Sequence, residues 1–266
     1  MKLSSNKKGL TLVILSVVLI AVIALSGTIA YFTDFDEVTN TFVMGNVKID
    51  LDEPNWNEED GLNLLPGNVR TKDPTVTASE GQSYMRIRME IVDGGGNLIT
   101  DTDRIDLILA TLFYDKAYGT TPSNIDESRK YSVSDLNALV AANKIHTEYN
   151  KDAFVFAGIE TGKPSARYYN YIANGGIFDA AAPADVAVLF SNVVIPKDWN
   201  NQEIFDLNGD LYDTTSNGGL EVTVPGTGYK IVLKAEAIQS SDMADADEAF
   251  AALNEATGVT IDANGN

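Results

Sequence analysis

The chain has no cysteine, so a disulfide framework and a thiolate metal site are both excluded. It has one histidine, His146, in the context Ile145-His146-Thr147-Glu148. That is not H-E-x-x-H, and a zinc held in that way needs two histidines on one helix face. A Ser–His pair would have to use His146, and G-x-S-x-G is absent. Basic residues are scarce: 19 Lys and Arg face 38 Asp and Glu, for a formal charge of −19. Such a balance repels nucleic-acid phosphates and anionic lipid. Chance pairs of carboxylates are unavoidable at this acid content, so pairing alone does not argue for a glycosidase. His146 is expected at the surface or in a loop, and no catalytic residue is assigned.

One long apolar run exists. Lys2, Lys7 and Lys8 precede it, and residues 10–25 are nearly all Leu, Ile, Val and Ala. This is the pattern of an N-terminal signal helix, with an uncleaved membrane anchor as the alternative. Thr28 and Ala30 are the small residues a signal peptidase reads, which puts the cut before Tyr31. Removing residues 1–30 takes away three lysines and no acid, so the charge falls from −19 to −22. Lys8-Gly9-Leu10-Thr11-Leu12 superficially matches a type IV prepilin, but the glutamate that family carries five residues after its glycine is Ile14 here. L-P-x-T-G is absent. The expectation is a secreted protein, in the extracellular matrix or on the cell surface, touching membrane only before cleavage.

Beyond the cut, short apolar-alternating stretches dominate. Phe32, Phe35, Val38 and Phe42 punctuate an acidic, threonine-rich segment. Val47, Ile49 and Leu51 alternate with Asn46, Lys48 and Asp50, the mark of a half-buried strand. Residues 69–78 form a strand interrupted at Pro74. Residues 84–92 alternate most clearly: Met85, Ile87, Met89 and Ile91 against Tyr84, Arg86, Arg88 and Glu90. Residues 103–114 switch to helical spacing through Ile105, Ile108, Leu109, Leu112 and Phe113, with Asp101 or Asp103 as cap. A second helix spans 132–143, capped by Ser132 or Ser134, with Leu136, Leu139 and Val140 inward. Strands return at 153–159 and 166–173. Asn174-Gly175-Gly176 reads as a hairpin turn. A buried strand spans 186–194, polar sequence follows over 200–219, and the last strands cover 220–224 and 229–238. A short helix at 244–253 precedes a tail frayed after Thr257.

Many short strands, two inserted helices and no βαβ rhythm predict a mainly β chain, an antiparallel jelly-roll-like β-sandwich. The domain plan is a signal peptide at 1–30, an N-terminal segment at 31–45, a sandwich at 46–256 with a helical insertion at about 101–145, and a flexible tail at 257–266. Asp206, Asn208 and Asp210 place oxygens at positions one, three and five of a calcium-loop pattern. Position six is Leu211 instead of Gly, and position twelve is Asn217 instead of Glu. A polar turn fits better than a metal site, and no cofactor is assigned beyond this weak calcium candidate. Tyr168, Tyr169 and Tyr171 offer an aromatic platform for sugar or, equally, an ordinary sandwich face.

Several motifs together resemble the TasA/camelysin family of exported Gram-positive proteins. They are Gly27-Thr28-Ile29-Ala30 with Tyr31-Phe32-Thr33-Asp34, then Thr41-Phe42-Val43-Met44-Gly45 before the Val47–Leu51 alternation, Leu65-Pro66-Gly67-Asn68, and Ala235-Glu236-Ala237-Ile238-Gln239. They run from the N-terminus to residue 239; residues 93–163 match nothing. The resemblance implies processing by a dedicated SipW-like signal peptidase, a jelly-roll body, and a subunit of biofilm matrix fibres. It also implies a mature N-terminal donor strand, carried here by Phe32, Phe35, Val38, Phe42 and Met44, which completes the sheet of the next copy in a head-to-tail homopolymer. The rival expectations are a monomeric secreted module binding sugar or calcium, and a camelysin-type metalloprotease, which the lone His146 does not support.

Overall fold

The computed structural model describes residues 42–44, 46–56, 65–181, 183–215 and 218–263. The signal segment, the cut at Thr28, Ala30 and Tyr31, and Phe32, Phe35 and Val38 lie outside the described residues, as do Gly45 and residues 264–266. Among the described residues, no helix is long and apolar enough to cross a membrane.

The fold is mainly β, with several antiparallel sheets and, among the described residues, four helices. Its largest sheet is centred on β5 (Gln82–Asp93) and β15 (Tyr229–Gln239), paired antiparallel without a break from Tyr229↔Asp93 to Gln239↔Ser83. Met85, Ile87, Met89 and Ile91 from β5 lie on one face with Ile231, Leu233, Ala235 and Ala237 from β15, all in the main core. The sheet continues past β5 through β9 (Lys163–Tyr171) and β8 (Phe154–Glu160) to β16 (Ile261–Asp262). On the far side of β15 lies β1 (Phe42–Met44), and this pair is parallel.

The opposite face of β5 is not a solvent face. Arg86 is fully buried there. Its Nε donates to Glu236 Oε2 at 2.7 Å, its Nη1 donates to Asn254 Oδ1 at 2.6 Å, and its guanidinium lies 4.7 Å from the centre of the Tyr168 ring. Asn254 comes from a C-terminal helix, 246–257, which seats Ala249, Phe250 and Leu253 on Ile238 and Tyr84. The charges are tolerated because each meets a partner in a dry site.

A second layer covers the first core face. β2 (Lys48–Asp52), β4 (Thr75–Glu80) and β11 (Val186–Val188) form one small sheet, and Ile49, Leu51, Val76, Ala78 and Ala187 enter the main core from it. β3 (Val69–Thr71), β12 (Asn192–Val194), β6 (Leu112–Asp115) and β7 (Ile145–Thr147) form another. The expected interruption at Pro74 is a change of sheet: β3 and β4 flank Lys72, Asp73 and Pro74. The stretch expected as one strand at 186–194 breaks opposite it, into β11 and β12. Across the break the Lys72 N–H donates to the Ser191 carbonyl at 3.1 Å, and the Leu189 N–H to that of Pro74 at 3.0 Å. A single bent ladder therefore serves both sheets.

Helix α1 (Thr102–Leu109) is capped by the Asp101 carboxylate and α2 (Val133–Ala141) by a Ser132–Asp135 capping box. Four expectations change. Leu112 and Phe113 are not helical: Thr111 closes α1 on the Ile108 carbonyl, and the two apolar residues enter β6. The segment at 101–145 is thus an alternation of helix and strand that supplies β6 and β7, not a helical insertion. Asn174-Gly175-Gly176 is not a hairpin: β9 and β10 (Ile177–Asp179) both run antiparallel to β5, so the left-handed residues Asn174 (φ 51°) and Gly175 (φ 72°) bulge out of one continuing edge. The polar stretch after Trp199 contains α3 (Asn201–Asn208), announced by an Asn200–Glu203 capping box, and β13 (Leu211–Thr214), which pairs with β14 (Leu220–Val224). Finally, within the stretch expected as a frayed tail after α4 (Ala246–Thr257), Ile261 and Asp262 form β16.

Glu236→Ala is expected to strand the Arg86 charge and to lower unfolding stability by about 3–5 kcal/mol in urea titration. The double change Arg86→Met with Glu236→Leu is expected to recover most of that loss.

Candidate functional site

The resemblance directs attention to the edges of the large sheet. At one edge, β1 runs parallel to β15 with Phe42↔Glu236, Val43↔Ala237 and Met44↔Ile238 in register. These three residues span one end of the eleven-residue β15. Just beyond them the Asn46 N–H donates to Gln239 Oε1 at 3.0 Å. Residues 42–44 of one motif and 236–238 of another, far apart in the chain, therefore meet as neighbouring strands. Glu236 anchors this end: Arg86 holds Oε2 and Lys234 Nζ lies 3.0 Å from Oε1.

The opposite edge is β8, capped over Glu160 and Ile159 by Ile261 and Asp262 of β16. Gly158 makes this approach possible. Its φ is 132°, and a Cβ there would stand 2.7 Å from Ile261 Cγ2. Glu160 takes Arg88 Nη2 at 2.9 Å and Lys163 Nζ at 2.6 Å. Burial raises its pKa, but the hydrogen bonds from Lys163 and Arg88 outweigh burial and hold the carboxyl below its ordinary 4.5.

The other sequence candidates are placed as follows. Asp206 and Asn208 lie in α3, not in a loop, and Asp210 follows it. Asp206 Oδ1 accepts from the Tyr212 hydroxyl at 2.8 Å, and Asn208 Nδ2 donates to Asp210 Oδ1 at 2.7 Å. The Gly226 N–H also occupies Asp210 Oδ1. Among the described residues, no group of three or more His, Asp or Glu side chains converges as a metal site. His146 belongs to β7 instead of a loop, stacks on Tyr114 with ring centres 6.1 Å apart, and accepts from the Lys151 N–H at Nδ1. Burial lowers its pKa. Tyr168, Tyr169 and Tyr171 are buried, so they offer a sugar no exposed platform. Leu65-Pro66-Gly67-Asn68 is the expected turn: the Asn68 N–H donates to the Leu65 carbonyl at 2.9 Å, and Gly67 has φ 89°.

Sequence reasoning missed Arg86 and Glu236 as a pair. Their signal was a charge of each sign on the same-parity positions of the two most regular strands, where one face is already apolar. No family model matches the chain, and neither does any curated protein.

Two measurements check the edge geometry. Gly158→Val, which meets both the backbone angle and Ile261, is expected to cost about 1–3 kcal/mol. It is also expected to speed amide exchange at Ile261 and Asp262 while leaving the β5–β15 ladder protected. Because the folded pKa of Glu160 lies below 4.5, its contribution to stability is present above that pH and is lost as pH falls through the folded value. Glu160→Gln is expected to flatten that acid limb of the stability curve.

Proposed function

We propose that this chain is an exported, non-enzymatic subunit that builds extracellular matrix fibres. Cleavage before Tyr31 by a SipW-like signal peptidase releases residues 31–45, and that segment passes to the next copy as a donor strand. The body belongs, on this reading, to the jelly-roll arrangement of the two-layer sandwich, and the product is a head-to-tail homopolymer.

The observation that carries the reading is the pairing of β1 with one end of β15. A three-residue parallel pairing at a sheet edge is a small contact. Another copy's segment satisfies the same backbone groups equally well. Donation from one copy to the next does not close on itself, so it propagates a filament. Each Phe carried into a neighbour's groove (Phe32, Phe35 and Phe42) contributes about 1.5–3 kcal/mol of apolar burial before ordering costs. The mature charge of −22 keeps single copies apart until a specific contact overcomes repulsion. A monomeric sugar-binding module draws no support from the tyrosines, since they are buried.

The test is removal of residues 31–44 from the mature protein. Electron microscopy is expected to show no filaments from the truncated chain under conditions in which the intact mature chain forms them. Filaments at undiminished yield would overturn the reading.

A further inference from the structure

We propose that Lys72 and Glu53 become joined by an amide bond between Lys72 Nζ and Glu53 Cδ, an internal cross-link formed by the folded protein itself. The inference does not rest on fibre assembly.

Lys72 sits in the bend between β3 and β4, and its side chain is 0% exposed. Nζ lies 2.7 Å from Glu53 Oε2, and the Glu53 side chain is 9% exposed. Among the described residues, the other ion pair with a fully buried cation uses Arg86, whose guanidinium is no nucleophile; a desolvated lysine amine is one. Glu53 Oε1 is buried and has no hydrogen-bond partner. An ion pair in this setting loses the hydration of two charges and leaves one acceptor orphaned. Amide formation removes both charges and one of the two oxygens.

The surroundings hold the reactants in place. The Trp56 ring centre lies 4.5 Å from Nζ and closes one side. Asp73, next to Lys72 and fully buried, accepts the Asn55 N–H at 3.1 Å, Asn55 Nδ2 at 2.8 Å and the Tyr118 hydroxyl. It thereby pins the turn of Glu53, Pro54, Asn55 and Trp56 against the bend, which makes Asp73 a positioning residue. Fixing amine and carboxyl in contact supplies the entropy that an encounter in solution lacks. Burial pushes the Glu53 carboxyl up, Lys72 opposes this, and the charges of Asp73 and Asp52 add to the rise. The net rise makes the neutral carboxylic acid easier to reach than it is for an exposed glutamate.

The step balances within the pair. A proton passes from the Nζ ammonium to the Glu53 carboxylate, giving amine and carboxylic acid. The Nζ lone pair attacks Cδ, the C–N bond forms, and a C–O bond breaks. The departing hydroxyl takes the second Nζ proton and leaves as water, without oxidation or any other reactant.

Trypsin and mass spectrometry test it on the wild-type chain. The intact mass is expected to fall short by one water of the mass calculated from the N-terminus the isolated chain carries, Met1 or Tyr31. After digestion, which cuts the backbone at Arg70, peptides 49–70 and 71–86 are expected to remain joined as one branched species through Glu53 and Lys72. Lys72→Arg keeps the positive charge and is expected to restore the full mass and to release 49–70 as a linear peptide, with trypsin now cutting after residue 72. Asp73→Asn is expected to lower the linked fraction. A wild-type chain of full sequence mass would overturn the proposal. So would a missing water found on a linear peptide, as a succinimide at Asp93-Gly94 would give. The digest of the wild-type chain decides the matter whether or not the variants fold.

Discussion

The antiparallel ladder between β5 and β15 is the constraint on which the rest of the molecule depends, because it is covered on both faces. Met85, Ile87, Met89 and Ile91 commit one face to the main core. Arg86 and Glu236 then have no solvent to face on the other side. An isolated charge there would be intolerable, so the two pair with each other. The pairing also fixes register. Arg86 and Glu236 are direct cross-strand partners, and a one-residue slip of either strand would carry its charge into the apolar core and leave the other charge unpaired.

From that ladder the two edges follow. Because β9 and the collinear β10 occupy the other side of β5, the sheet ends at β15 in one direction and at β8 in the other. Both edges are capped by short segments from the ends of the described chain: three residues of β1 and two of β16. They differ in what holds them. β16 is placed by Gly158 and tethered to α4, whose Asn254 reaches the buried Arg86. β1 precedes Asn46 and is steadied by Gln239. Both caps thus meet the charge pair at the centre of the sheet, the C-terminal one through Asn254 on Arg86 and the N-terminal one through the pairing of Phe42 with Glu236.

Much of the β architecture was legible because alternation is strict where one face is buried: 47–51, 84–92 and 229–238 are strands as read. Two kinds of failure occurred. The first is period ambiguity in short apolar runs. The apolar positions from Ile105 to Phe113 fit a continuous helix, and only the tertiary partners β12 and β7 decide that Leu112 and Phe113 extend. The second concerns turn chemistry. Asn174-Gly175-Gly176 does adopt left-handed angles, but sequence cannot tell a reversal from a bulge, since that depends on which strand lies alongside. The capping box at Asn200 and Glu203 was readable and was hidden by the glycines and acids around it. At the candidate site, the motifs of residues 41–45 and 235–239 were visible separately, whereas their adjacency is a fact of topology.

On the proposed exchange of residues 31–45, the same backbone contact is made within a copy or between copies, so the contact energy itself cancels. What remains is the competition between a tethered segment, whose effective concentration is of order millimolar for a short linker, and one arriving from a neighbour. A three-residue pairing makes the internal state easy to leave, but ease of release is a rate argument and does not by itself favour the polymer. The balance must come from contacts made only between copies, such as body-to-body surface that the exchange brings together. The acidic charge works against them, and added salt screens it. Assembly on this scheme is therefore governed by ionic strength and subunit concentration more than by the strength of the β1–β15 pairing.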